Sequence, residues 1–206
     1  MTEPENSTRA IFNQIIFQDR MVTALAEYAQ QCGMQNFVES LDMNCGAIPD
    51  EDFETIIDPE SPAQFLKLYA HMAQDRLAYT ITNMLRVSKE FGAPIYSFVR
   101  QNGTNMEIEE LETVTQAFSV FNSVVLDEEF DKPSIEIIEQ NGDCIVWKKN
   151  LESVKQSWTK CSGEIEMYYF YLMSLCEGLF AKSEIRFEVK DGVFEIRKKG
   201  GEKKYS

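Results

Sequence analysis

A hairpin written twice constrains this chain more than any other feature. "SIEIIEQNGDCIVWKKN" begins at Ser134 and "SEIRFEVKDGVFEIRKKG" at Ser183, and each runs an apolar alternation into a Gly-centred turn and out through paired lysines. In the second, Ile185, Phe187 and Val189 alternate with Glu184, Arg186 and Glu188. Asp191-Gly192 supplies the turn, and Phe194 and Ile196 continue the return strand. The first repeats the design with Ile135 and Ile137, turns at Asn141-Gly142, and returns through Cys144 to Trp147. Period-two alternation around such a dipeptide marks a half-buried antiparallel hairpin. One hairpin is marginal in water, so two with an apolar face each are expected to complete one four-stranded antiparallel sheet. Between them, "CSGEIEMYYFYLMSLCEGLFAK" reads as a covering helix over about 161–181, with Ile165, Tyr168, Tyr169, Leu172, Leu175, Cys176 and Leu179 on one face.

The rest of the chain reads as helical, which makes the fold class α+β in a single domain. The first twelve residues read as a loose arm, 13–130 as the mainly helical part, 131–200 as hairpin-helix-hairpin, and 201–206 as a flexible tail. Apolar residues from Ile11 to Ala26 fall at three- and four-residue spacings, which predicts an amphipathic helix over Arg9 to Gln31 stopped by Gly33. The segment from Phe37 to Ser61 reads as an irregular connection with one short helix after Pro49. A long helix is expected from Ser61 to Phe91, with Ser61 as N-cap, Pro62 in the first position and Gly92 as stop. After "PIYSFVRQNGT", taken as a connection, Glu107 to Leu126 reads as another helix with its acids at the positive end.

The formal charge of −14 argues against nucleic acid as a partner, because phosphate binding needs a basic patch. The charge is uneven: no Lys or Arg falls between Arg20 and Lys67, and eight acids stand from Glu39 to Glu60. Such runs, with "PDEDFETIIDPE" and "LDEEFDKP", read as solvated faces and lack calcium-loop spacing. The polar start and the lack of eighteen consecutive apolar residues lead us to expect a cytoplasmic protein without a membrane span. Cys32, Cys45, Cys144, Cys161 and Cys176 form no zinc-spaced set, so reduced thiols are expected. No phosphate-binding glycine loop and no nucleophile elbow occur, and no cofactor is expected.

The order hairpin, polar loop, cysteine-led apolar helix, closing hairpin resembles the vinyl-reductase-type ligand-binding domain. It is also similar to the related TRAPP core subunits and, more distantly, to the haem nitric-oxide-binding domain. "IVWKKN", "CSGEIEMYYFYLMSLCEGLF" and "SEIRFEVKDGVFEIRKK" carry the likeness, over about Ser134 to Lys199. The resemblance implies a ligand-binding role. Metal-binding members carry two cysteines in the final hairpin, whereas Cys176 is the last cysteine here, which argues against a metal. The haem-binding pattern needs a proximal His and a Tyr-x-Ser-x-Arg segment. The sole His is His71, and "YSFVR" from Tyr96 to Arg100 has different spacing, which argues against haem.

Candidate functional residues follow from these elements. The run "MYYFYLM" from Met167 to Met173 is apolar all round a helix, and such a helix is buried on two sides or lies at an interface. Tyr168, Tyr169 and Leu172 are expected to face the sheet, with Phe170, Tyr171 and Met173 facing elsewhere. The leading expectation is a non-enzymatic sensor-type or protein-interaction domain with an apolar pocket between helices and sheet, lined by Tyr168, Tyr169, Leu172, Phe187 and Phe194. The alternative is a small cysteine-dependent hydrolase using Cys161, placed near a helix N-terminus, with His71 as base. A third reading is a trafficking-type scaffold subunit. A homodimer through helices is expected from the surplus of apolar faces, because lysines on the closing strand discourage edge pairing.

Overall fold

The computed structural model describes residues 3–57, 60–126 and 135–200, with side chains described from residue 8. Residues 127–134, which hold "DEEFDKP", and the tail 201–206 lie outside the described residues. The fold is α+β, with a four-stranded antiparallel sheet and helices packed on it.

The sheet consists of β1 (Ile135–Gln140), β2 (Cys144–Lys149), β3 (Ile185–Lys190) and β4 (Val193–Lys198) in the order β1-β2-β4-β3. Both hairpins form where the alternation places them. Asp191 and Gly192 both take positive φ (53° and 76°), which matches the twist of a tight two-residue hairpin turn. The first turn is held differently: the Asn141 side-chain oxygen accepts from the Asp143 and Cys144 amides at 2.8 and 2.9 Å. The hairpins join through β2 and β4, with Trp147 opposite Phe194 and Ile145 opposite Ile196. This order corrects the expected edge argument. Arg197 and Lys198 lie on β4, an interior strand paired on both sides, so they protect no edge. The edges are β1 and β3, and β1 leaves Ile137 and Ile138 exposed beside a register shift.

The helical part departs from the sequence reading in five places. The first helix, α1 (Glu3–Gln31), takes in most of the expected loose arm. A second helix, α2 (Phe37–Cys45), stands in the supposed irregular connection because Phe37 and Leu41, one turn apart, bury a shared face. The short α3 (Phe53–Ile56) follows, after Pro49 as expected. The long α4 (Pro62–Val87) ends earlier than Gly92, where Ser88 turns extended and its hydroxyl accepts from the Glu90 amide at 3.2 Å. Gly92 then opens α5 (Gly92–Asn105), the stretch taken as a connection; Pro94 fits its first turn, where no amide is required. The next helix, α6 (Val114–Val124), starts seven residues after Glu107, at a capping box between Thr113 and Gln116.

The helix expected over about 161–181 forms over most of that span, and a further helix, not read from the sequence, precedes it in the polar segment after β2. Glu152–Lys160 forms α7, and Ile165–Leu179 forms α8. Between them Ser162 adopts positive φ (59°). The two-sided apolarity of α8 is satisfied within the chain. One side lies along β3, the other packs closely on α5, and Tyr171 is buried alongside Tyr168, Tyr169 and Leu172. Gly103 of α5 and Gly178 of α8 permit the approach: a Cβ on Gly178 would stand 2.0 Å from the Arg100 carbonyl oxygen. On the sheet, α6 lies across β2 and β4, and Phe118 and Phe121 meet the Trp147 ring at 4.9 and 5.3 Å. A second, smaller core joins the start of α1 to α3 and the first half of α4 through Phe12, Ile15, Ile57 and Leu66.

Candidate functional site

The residues expected to line an apolar pocket are parts of the main core. Tyr168, Leu172 and Phe194 are buried essentially completely, and Tyr169 and Phe187 nearly so. Phe187 and Phe194 belong to an aromatic group with Trp147 and Phe121, at centroid separations of 5.3–6.4 Å. The Tyr169 hydroxyl lies beside Gly192 of the last turn, 3.9 Å from where a Cβ on that glycine would stand. None of the five lines either of the two cavities described below.

The larger cavity, about 360 Å³, opens where the end of α2, the middle of α4 and the end of α7 meet. Its wall is polar: Asn44 and Cys45 from α2, Asp75, Tyr79, Asn83 and Arg86 from α4, and Ser157, Lys160, Cys161 and Ser162 from α7 and its turn. The three- and four-residue steps from Asp75 to Arg86 put those four on one stripe of α4. Ser157 and Cys161 stand four apart on α7 in the same way.

Asp75 is the charge at the bottom of this wall, with a side chain only 8% exposed. Its Oδ2 accepts from Lys160 Nζ at 2.6 Å, and His71 Nε2, one turn earlier on α4, stands 4.0 Å from the same oxygen. Its Oδ1 is buried without a hydrogen-bond partner, and so is Oγ of Ser157. The hydrogen bond to Asp75 and its charge raise Lys160 above the ordinary lysine value. Burial, with Asp75 next, pushes the Cys45 thiol up to about 11, although Arg76 and Lys160 act the other way. One turn after Asp75, the Tyr79 hydroxyl shares a 2.7 Å hydrogen bond with Ser40 of α2, and Asn44 Nδ2 donates to the Ser40 carbonyl at 2.7 Å. Arg86 donates to Asn83 Oδ1 at 3.0 Å and to the Cys161 carbonyl at 2.7 Å, tying α4 to the end of α7.

Cys161 does line a cavity, but at the C-terminal end of α7, not at a helix N-terminus. The reason is the unread helix: the polar segment Glu152–Lys160 ends at this cysteine, so it closes one helix and does not open the next. Its Sγ rests 3.2 Å from the Trp158 carbonyl oxygen and 3.4 Å from that of Ser157. His71 is not among the residues of the lining, and Cys176 is fully buried in the main core.

Beside this cavity, on the other side of α2, a second one of about 310 Å³ is lined by Asp19, Arg20, Glu27, Asp42 and Asp50 around Arg76. Arg76 is buried and donates to Asp19 Oδ1 at 2.5 Å, Asp42 Oδ1 at 2.6 Å, the Gly46 carbonyl and Thr23 Oγ1 at 3.3 Å. That fork fastens α4 to α1, α2 and the turn after α2, which fixes the α2 wall of the larger cavity. Among the described residues, no three His, Cys, Asp or Glu side chains are grouped to hold a metal ion. Nor is any helix among them long and apolar enough to cross a membrane.

The fold and cavity define an α+β domain with a small, polar, preformed recess set away from its sheet. Compared with family models, curated proteins and solved structures, the chain matches none. Sequence reasoning reached Cys161 and His71 singly. It missed Asp75, Lys160 and Cys45, whose only early signal was a carboxylate set inside an apolar helix.

Proposed function

We propose that the chain is a non-enzymatic, small-molecule-binding domain of the sensor type, and that its site is the cavity between α2, α4 and α7. The observation that carries this reading is a preformed recess of about 360 Å³ floored by a buried carboxylate with one oxygen unpartnered. Its volume is at the small end of the roughly 300–1,000 Å³ usual for ligand sites. Buried polar groups are ordinarily paired, so unpaired ones in a cavity wall favour an occupant. The role is the one that resemblance to the vinyl-reductase-type domain implies. The place differs, because the tyrosines and phenylalanines first expected to line it are packed in the main core.

A cysteine-dependent hydrolase would need a base within hydrogen-bond reach of its thiol. The Cys161 thiol lies against two main-chain carbonyls, and the lining holds no imidazole. A helical homodimer draws little support from the Met167–Met173 run, since α5 covers the side of α8 that the sheet leaves open. The test is a thermal-shift screen of polar molecules of metabolite size, paired with alkylation of Cys45 and Cys161 read by mass spectrometry. A ligand of this site raises Tm and slows labelling of both thiols. A panel that changes neither, or that raises Tm without protecting them, removes the cavity as the site.

A further inference from the structure

We infer that the occupant of this cavity is a small zwitterion, a molecule of amino-acid size carrying an ammonium group and a carboxylate; the inference rests on the cavity being a ligand site. The charges of the wall are Asp75 against Lys160 and Arg86, in a chain that is otherwise strongly acidic. Two helices also end at the cavity, α2 at Cys45 and α7 at Lys160, and each C-terminus adds about half a negative charge. Together these nearly cancel, so the wall suits a ligand of no net charge. Lys160 is held against Asp75, whereas Arg86 stands about three turns further along the same stripe of α4 and gives the cavity a second, positive end. Asp75 Oδ1 offers an acceptor at one end, whereas Arg86 offers donors at the other.

The hydrogen-bonding inventory points the same way. Asp75 Oδ1 has no donor, and a buried carboxylate oxygen without one is costly. Lys160 serves only the other oxygen. An ammonium on the ligand supplies the donor and a compensating charge at once. Ser157 Oγ on α7 is buried and unpartnered, and the hydrogen bonds described for Arg86, further along α4, engage two of the five N–H groups of a guanidinium. A planar carboxylate accepts from such a fork and from a serine hydroxyl together. An anion alone would leave the Asp75 oxygen facing a like charge, and a cation alone would leave Arg86 and Ser157 unused. A molecule carrying both groups answers both the Asp75 end and the Arg86 end of the cavity.

The experiment is calorimetric titration of the full chain with the twenty common amino acids. Each one that binds is then compared with its carboxamide, which lacks the carboxylate, and its desamino acid, which lacks the ammonium. At least one amino acid is expected to bind, and loss of either group should weaken it at least tenfold. Arg86→Gln, a substitution at the cavity rim, should weaken the amino acid tenfold or more and leave its carboxamide unchanged. Asp75→Asn should do the reverse with the desamino acid. If Asp75→Asn does not fold, Arg86→Gln and the ligand pairs still decide. A binder that keeps its affinity without its ammonium or its carboxylate overturns the inference, as does unchanged binding to Arg86→Gln. If no amino acid binds while other polar molecules protect the thiols, the zwitterion is wrong and the ligand site stands. If nothing in either set binds, both readings fall.

Discussion

Removing the guanidinium of Arg76 would leave the Asp19 carboxylate almost wholly enclosed without its principal donor. The two side chains are 3% and 11% exposed, and burial already pushes the Asp19 carboxyl up while Arg76 pulls it back. Breaking a buried pair from one side costs about 3–5 kcal/mol, much of it the stranded charge. Arg76→Met is therefore expected to lower the unfolding free energy measured in urea by that order, and adding Asp19→Asn should recover part of the loss. A single variant within about 1 kcal/mol of the parent would show that the latch is dispensable. The thiols give a second residue-level expectation. Cys32 is exposed, Cys45 is partly covered with its titration moved to about 11, and Cys144 and Cys176 are buried. The thiolate is the attacking form, so alkylation near neutral pH should take Cys32 well before Cys45. The Cys45 rate should keep climbing until the pH approaches about 11. Saturation near the ordinary thiol range would contradict the enclosed position given to it here.

Between elements, the closest approach is that of α5 and α8 at their glycines. A methyl on Gly178 would meet the Arg100 carbonyl at 2.0 Å and the Thr104 amide nitrogen at 2.8 Å, main-chain atoms that no rotamer change can move. Overpacking of this kind costs about 1–3 kcal/mol, occasionally more. Gly178→Ala should fall at or above the top of that range in chemical denaturation. Gly142→Ala, with nothing within 4 Å of its new carbon, should stay within about 0.5 kcal/mol. A Gly178→Ala variant as stable as Gly142→Ala would mean that the helices are not in this contact. The same pair explains which elements could be read from sequence. Strands announced themselves because alternation and turn chemistry are local, and Asp191-Gly192 needs no distant partner to be recognised. Helix α5 stayed hidden because Asn102-Gly103 looks like a turn until α8 supplies the reason for a glycine there. In α7, Val154 and Trp158 are one turn apart but sit among polar residues, too few to advertise a buried face. The cavity was less legible still, since Cys45, Asp75 and Lys160 come from three segments that only α2 and α7 bring together.

For the whole molecule, the titrations moved by folding mostly share a sign above neutral pH. Burial raises Cys45, Cys144, Cys176, Tyr169 and Tyr171, and the hydrogen bond to Asp75 raises Lys160. Each of these groups keeps its proton to higher pH in the folded chain than in the unfolded one. As the pH climbs, the unfolded chain releases those protons first, so the stability gained from holding them declines. Urea midpoints should hold to about pH 8, where unfolded thiols begin to ionise, and then fall progressively through pH 11. A midpoint constant from pH 8 to pH 11 would show that these groups are not enclosed as described. The sheet order has a different consequence, one of timing. Because β4 lies between β2 and β3, neither half of the sheet meets the other until residues 193–198 have been translated. Until then the ribosome holds a chain whose helices can form but whose β2 edge, with Trp147 on it, lacks its cover. Chaperone engagement during synthesis should therefore concentrate on chains arrested short of β4 and drop once it has emerged.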